Sequence, residues 1–195
     1  MNSSVEAPDE VLMARVQAGD EQALALLVHR YEHALFNYAR KMLGRAEDAE
    51  EIFQETFVRV YQHRARYRPE RPFRPWLYRI TTNLCRDRLR YRKRRPEVNE
   101  SALQPEDEQR DDFTARQPDE TMGPDEQAVA RERAAHMEAA LAALSVKHRS
   151  VFLMAHQQGM PYTDIATALN IPVGTVKSRM NKAVSQLLTA MEATE

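Results

Sequence analysis

The sequence predicts an all-α protein with two small helical domains joined by a flexible acidic linker. Apolar residues recur at steps of three and four over long stretches, which is the pattern of amphipathic helices. No stretch shows the alternation typical of a strand, and the composition changes sharply over residues 96–124. A chain of 195 residues suits one ordinary domain or two small ones.

The first domain, residues 9–95, is expected to hold three long helices. One begins after Asp20, a plausible N-cap, and stops at Gly44; the others span about 46–62 and 73–92. The residues expected to face the core are Leu24, Leu27, Tyr31, Leu35, Tyr38, Met42, Ala49, Ile52, Phe53, Thr56, Val60, Leu77, Ile80 and Leu84. Pro75 fits the third helix only within its first turn.

Residues 96–124 form the expected linker, because four prolines, many acids and few large apolar residues cannot offset the entropy of ordering. Four helices follow in the second domain, residues 125–193, at about 125–143, 146–158, 163–169 and 174–191.

Charge is sorted along the chain although the net charge is only −1. Residues 64–95 carry 13 basic and 2 acidic side chains, and residues 96–126 carry 2 basic and 11 acidic ones. The basic segment is suited to binding phosphates. The acidic segment is suited to being either a solvated tether or an internal competitor that binds the basic segment in place of phosphates.

The last two helices have the form of a helix-turn-helix. Ile165, Ala166 and Leu169 are expected to face inward before the turn at 170–174, and Val176, Met180, Val184 and Leu187 after it. The outward side chains suit phosphates and base edges; they are Lys177, Ser178, Arg179, Asn181 and Lys182. The alternative is an ordinary solvated helix face.

Two further faces carry functional side chains. One face of the third helix carries a narrow polar stripe, formed by Arg79, Asn83, Arg86 and Arg90. Aromatic residues are interleaved with the arginines in the sequence; they are Tyr67, Phe73, Trp76 and Tyr78. This combination suits binding of unpaired bases and phosphates. Phe73 and Trp76 are equally compatible with a place in the core. On the second helix, Glu51, Gln54, Glu55 and Val58 form a face that is either a dock for a basic protein or simply solvated.

Other classes of protein are disfavoured. The sequence has no phosphate-binding glycine loop or serine elbow, and His29 and His33 lack a third metal ligand, so we expect no enzyme, cofactor or metal. The single Cys85 excludes an internal disulfide and fits a reducing compartment. No apolar run approaches the ~20 residues of a membrane helix. We therefore expect a cytoplasmic protein without membrane insertion.

Three segments resemble motifs of the small extracytoplasmic-function (ECF) sigma factors of the bacterial sigma-70 family. Residues 48–57 (DAEEIFQETF) resemble the helix that binds core RNA polymerase, residues 73–83 (FRPWLYRITTN) the promoter-melting helix, and residues 172–179 (PVGTVKSR) the C-terminal recognition helix. The order of the motifs and the tether between them also match, and together they cover nearly the whole chain. Pro161 departs from the family pattern, where a capping residue is usual.

The resemblance implies a promoter-specific initiation factor with a region 2-like and a region 4-like domain. Its partners would be core polymerase (the β′ clamp helices and the β flap), promoter DNA and an anti-sigma factor. The residues in contact with core would be Asp48, Glu51, Gln54 and Glu55. The residues in contact with the minus-ten element would be Trp76, Arg79, Asn83, Arg86 and Arg90. The residues in contact with the minus-thirty-five element would be Thr175, Lys177, Ser178, Arg179, Asn181 and Lys182. The linker would thread toward the RNA exit path.

Two rival functions are compatible with parts of the sequence. An autonomous helix-turn-helix regulator explains residues 162–190 but not the basic block, and a sigma-like mimic is expected to lack the basic DNA-facing residues. We also expect weak DNA binding by the free protein, since domain packing or an anti-sigma factor would mask the basic face and the recognition helix.

Overall fold

The computed structural model describes residues 7–95 and 123–192, and every regular element in those ranges is helical. The helices are α1 (Asp9–Gln17), α2 (Glu21–Leu43), α3 (Ala46–Gln62), α4 (Phe73–Arg94), α5 (Pro124–Ala143), α6 (Val146–Phe152), α7 (Tyr162–Leu169) and α8 (Val173–Glu192). A 3-10 turn lies at Arg64–Arg66, and a π-helical segment, Leu153–Gln157, continues α6. The all-α prediction is confirmed, whereas the linker prediction falls almost entirely outside the described residues.

Helix α2 begins and ends where the sequence indicates. The Asp20 carboxylate accepts a hydrogen bond from the Ala23 amide at 3.1 Å. The hydrogen bond from the Arg15 side chain, and then that from Ala23, lower the pKa of Asp20. Gly44 ends the helix with φ of 77°, a backbone conformation that glycine adopts without steric cost.

Helix α1 was not predicted from the sequence, because it is only nine residues long and depends on tertiary packing. Its apolar residues Leu12, Met13 and Val16 are buried against the rest of the first domain. Glu10 accepts a hydrogen bond from the Phe73 amide at 2.8 Å, and so supplies the cap that Pro72 does not provide for α4. Pro75 lies in the first turn of α4, as its tolerance requires.

The core of the first domain joins α2, α3 and α4 through buried aromatic and hydroxyl groups. The Tyr38 hydroxyl lies 2.8 Å from that of Thr82, and the Tyr38 and Tyr78 rings meet edge to face. Phe73 is fully buried, so the core interpretation of this residue is confirmed. Trp76 is half-buried, with its ring 5.1 Å from that of Tyr67.

The inward face of α8 differs from the prediction at Val184. Val176, Ala183 and Leu187 are buried and Met180 is partly buried, whereas Val184 is 37% exposed. The inward positions Val176, Met180, Ala183 and Leu187 are spaced by four, three and four residues. Val184 therefore lies at the edge of the buried face of α8 and not within it. Phe53 and Ile80, also predicted inward, lie partly buried at the edge of the first core.

The two domains pack against each other, chiefly through α4 and α7 and through α2 with the segment around α6. Side chains of Arg149 and Gln158 in the second domain bond to the first. Helix α7 begins at Tyr162, directly after Pro161, which gives no side-chain cap. Within the described ranges, no helix is both long and apolar enough to span a bilayer.

Candidate polymerase and nucleic-acid surfaces

The acidic face of α3 borders a groove between α3 and α4. Gln54 is exposed and donates to Glu50 at 3.2 Å, and Glu55 accepts from Arg59 at 2.7 Å. The groove is also lined by two exposed apolar side chains, Val58 (48%) and Tyr91 (53%). Sequence reasoning missed Tyr91 as part of this surface, because only the packing of α4 on α3 brings it beside the acidic face.

Asp48 is not part of the exposed acidic face. Its side chain is buried, and its carboxylate forms ion pairs with Arg88 and Arg92 of α4. Arg88 also pairs with Glu51, which stays largely exposed, and Arg92 donates to the Leu43 carbonyl at 3.1 Å. Asp48 therefore joins the first half of α3 to the end of α4 and neutralises part of the basic block.

The basic face of α4 is open to solvent beside this groove. Arg79, Asn83 and Arg90 are exposed and Arg86 is half-buried. Arg90 pairs with Asp87, whereas Arg79 and Asn83 make no side-chain bond to another described residue. On the opposite side of the helix Cys85 is fully buried, and burial raises the pKa of its thiol to about 12. Free amide and guanidinium groups can bind bases and phosphates.

Helices α7 and α8 meet through a tight turn. Asn170 has a left-handed backbone (φ 53°, ψ 53°), and the Ile171 amide donates to the Ala166 carbonyl at 3.0 Å. The turn thus satisfies the end of α7 and directs the chain into α8. This geometry is that of a helix-turn-helix.

The outward face of α8 carries the predicted DNA-binding side chains. Lys177, Ser178, Asn181 and Lys182 are exposed, whereas Thr175 and Arg179 are half-buried. The Ser178 hydroxyl donates to the Thr175 carbonyl at 3.1 Å, so part of its hydrogen-bonding capacity serves the helix. Lysine, arginine and asparagine side chains at the start of a second helix suit insertion into a major groove.

The fold defines a two-domain helical protein with a helix-turn-helix, a class typical of DNA-binding proteins, and with a separate groove between α3 and α4. Residues 27–95 match the family model for Sigma-70 region 2, and residues 136–187 match that for Sigma-70, region 4. The chain belongs to the sigma-70 family, within its ECF group. It is a promoter-directing transcription initiation factor, which confirms the function predicted from the sequence.

Curated relatives and solved structures agree with this assignment. The chain is 32% identical to the ECF RNA polymerase sigma factor SigW of Bacillus subtilis over 168 residues, covering 86% of this chain and 88% of the relative. It is 33% identical to SigE of Mycolicibacterium smegmatis over 188 residues, covering 94% and 69%. CnrH, solved in complex with the cytosolic domain of CnrY, superposes with a TM-score of 0.71 at 26% identity, covering 96% of this chain and 99% of CnrH.

Proposed function

We propose that the two domains divide promoter recognition between them. Residues 9–95 bind core polymerase and the minus-ten element, and residues 125–193 bind the minus-thirty-five element. The observation that carries the role of the first domain is the adjacency of two open surfaces on α4: the groove shared with α3 and the stripe of Arg79 and Asn83. A core enzyme bound in the groove would bring its template channel beside the side chains that handle the melted strand.

The groove fits a helical, basic surface with some apolar residues, such as the β′ clamp helices. Glu51, Gln54 and Glu55 offer carboxylate and amide groups, and Val58 and Tyr91 add apolar area at the centre. Asp48 stabilises this surface from within and does not touch the partner. The second domain is proposed to contact the β flap of the polymerase.

The basic face fits the unpaired non-template strand of the minus-ten element. Asn83 can both donate to and accept from one base, and Arg79, Arg86 and Arg90 bind phosphates. Trp76 is half-buried next to the ring of Tyr67, and its exposed part is available for contact with an extruded base. Melting would be favoured because an extruded base exchanges its stacking in the duplex for contacts with protein.

The recognition face of α8 fits the duplex minus-thirty-five element. Lys177, Arg179 and Lys182 supply phosphate and base-edge donors, Asn181 supplies an amide, and Thr175 and Ser178 supply hydroxyl groups. We further propose that the protein acts in the cytoplasm, has no enzymatic activity of its own and is controlled by an anti-sigma factor. The complex of CnrH with the cytosolic domain of CnrY supports the binding of a further protein partner.

The test is run-off transcription with core polymerase on a promoter library. Replacing Gln54 and Glu55 by alanine should abolish core binding, since both side chains lie in the groove. The matched control replaces Glu21 and Gln22, an exposed acid and an exposed amide on α2, and should initiate normally.

A second pair of variants tests promoter choice. Arg179→Ala should keep core binding but lose selectivity at the minus-thirty-five position, whereas Arg133→Ala, an exposed arginine on α5, should retain both. Core binding that survives the double groove substitution would refute the groove as the polymerase site. Duplex binding without any gain of promoter selectivity by core would favour an autonomous regulator.

A further inference from the structure

We propose that Gln17 is a positioning residue for binding of the minus-ten element, because it holds the loop against which Trp76 packs. The inference rests on the proposed function of the first domain and adds to it a residue outside all three sequence motifs. Gln17 is the last residue of α1 and precedes the residues matched by the region 2 family model. The loop, here called the α3–α4 loop, comprises residues 63–72.

Gln17 binds the backbone of the α3–α4 loop at two points. Its side-chain nitrogen donates to the Arg64 carbonyl and to the Tyr67 carbonyl, each at 2.8 Å. Both hydrogen atoms of one amide group are thus used. Tyr67 has an extended backbone (φ −70°, ψ 140°), so its carbonyl is not part of a helix, and the Gln17 amide supplies its donor.

The position of Gln17 is fixed by the corner between α1 and α2. The Gly19 amide donates to the Val16 carbonyl at 3.1 Å, and the Asp20 amide donates to the Arg15 carbonyl at 3.0 Å. Gly19 has φ of 94°, which glycine adopts without steric cost, and the Arg15 side chain pairs with Asp20 at 2.8 Å. The α3–α4 loop is therefore tied to a corner that is itself closed by hydrogen bonds.

Tyr67 connects the loop to Trp76. The Tyr67 side chain is buried, and its hydroxyl donates to the Arg71 carbonyl at 2.6 Å, so its ring is held within the loop. The Tyr67 ring centroid lies 5.1 Å from that of Trp76, and the Phe73 centroid lies 5.9 Å from it. These two rings limit the orientations of Trp76. A shift of the Tyr67 backbone would therefore move one of the two rings that hold Trp76.

A held tryptophan binds an unpaired base more tightly than a mobile one. Its ring contacts the base without first losing conformational freedom, and loss of that freedom weakens binding. The polymerase groove is lined by residues of α3 and α4, and none of its lining residues belongs to the α3–α4 loop. Gln17 should therefore affect binding of the unpaired strand and leave binding of core polymerase unchanged.

The first test is the fluorescence of Trp76, the only tryptophan of the chain. The full-length Gln17→Met variant keeps the length of the side chain and lacks the donor. The matched control is Gln62→Met, because Gln62 is exposed, directly precedes the loop and makes no side-chain hydrogen bond within the described residues. At a temperature where all proteins are folded, Gln17→Met should shift the Trp76 emission to longer wavelength and increase its quenching by acrylamide. The control should match the unmodified protein.

The second test is binding of DNA by the complex with core polymerase. The probe is the single non-template minus-ten strand of a promoter that the unmodified protein uses in run-off transcription. Gln17→Met should weaken binding of this strand about fivefold, with unchanged affinity for core. Trp76→Leu should weaken it about tenfold, and adding Gln17→Met to Trp76→Leu should cost less than about twofold more, since both act at one contact.

Three results overturn the inference. They are unchanged emission and quenching of Trp76 in Gln17→Met, independent losses of strand affinity in the double variant, and a loss of core affinity that parallels the loss of strand affinity. The last result would reduce Gln17 to a contributor to general stability.

Run-off transcription separates these failures from failure of the proposed function. If the unmodified protein initiates with core and binds the strand while Gln17→Met behaves like the control, only the role of Gln17 is rejected. If the unmodified protein neither initiates with core nor binds the strand, the proposed function of the first domain is rejected, and the role of Gln17 in DNA binding is rejected with it.

Discussion

Replacing Asp48 by asparagine should lower stability and leave affinity for core polymerase unchanged. The side chain is 10% exposed, and the side chains of its arginine partners Arg88 and Arg92 are 29% and 19% exposed. Asparagine keeps the shape but removes the carboxylate charge that both arginines share, although Arg88 keeps its ion pair with Glu51. Breaking a buried ion pair in this way costs about 3 kcal/mol, which for a chain of this size lowers the melting temperature by about 6–12 °C.

The assay is urea unfolding together with core binding, measured at a temperature where both proteins are folded. Glu51→Gln is the matched control, because Glu51 pairs with the same Arg88 but its side chain is 62% exposed. It should cost less than about 1 kcal/mol. The contrary result is that Asp48→Asn unfolds at the same urea concentration as the unmodified protein while its affinity for core falls about tenfold, or 1.4 kcal/mol. That result would refute a structural role for the buried ion pairs of Asp48 and make Asp48 a direct contact with core.

Three other predictions concern the turn, the recognition helix and the thiol. Asn170→Ala should destabilise the second domain by about 1 kcal/mol, because alanine strains at φ of 53°, whereas Asn170→Gly should be nearly neutral; thermal unfolding distinguishes them. Lys177→Ala should weaken minus-thirty-five duplex binding and reduce the salt-dependence slope by about 1, with exposed Lys147→Ala as the unaffected control in a salt titration. Cys85 should resist iodoacetamide until the protein unfolds. Folding raises the pKa of Cys85 from 9.0 to about 12. The stability gained by burying the neutral thiol is therefore complete below pH 9.0 and declines as the pH rises toward 12. Cys85→Ala should reduce this decline in the free energy of unfolding, measured by urea unfolding.

Periodicity and capping chemistry predicted most of the helices. Asp20 and Gly44 mark the ends of α2 because each satisfies a backbone requirement locally. The bounds of α3 agree with its apolar periodicity, although Arg45 provides no side-chain cap. Helix α1 and the π-helical segment escaped prediction, since a nine-residue helix and a changed hydrogen-bond register are both stabilised by neighbours distant in sequence.

The sequence by itself determined the helical class, the order of its motifs and the chemistry of each proposed DNA-binding face, because these follow from side-chain type and spacing along one helix. Tertiary structure alone decided that Asp48 is buried, that Tyr91 joins the acidic face and that Gln158 reaches Tyr78. Each of these depends on the distance between residues far apart in the chain, and such distances are set by packing instead of local periodicity.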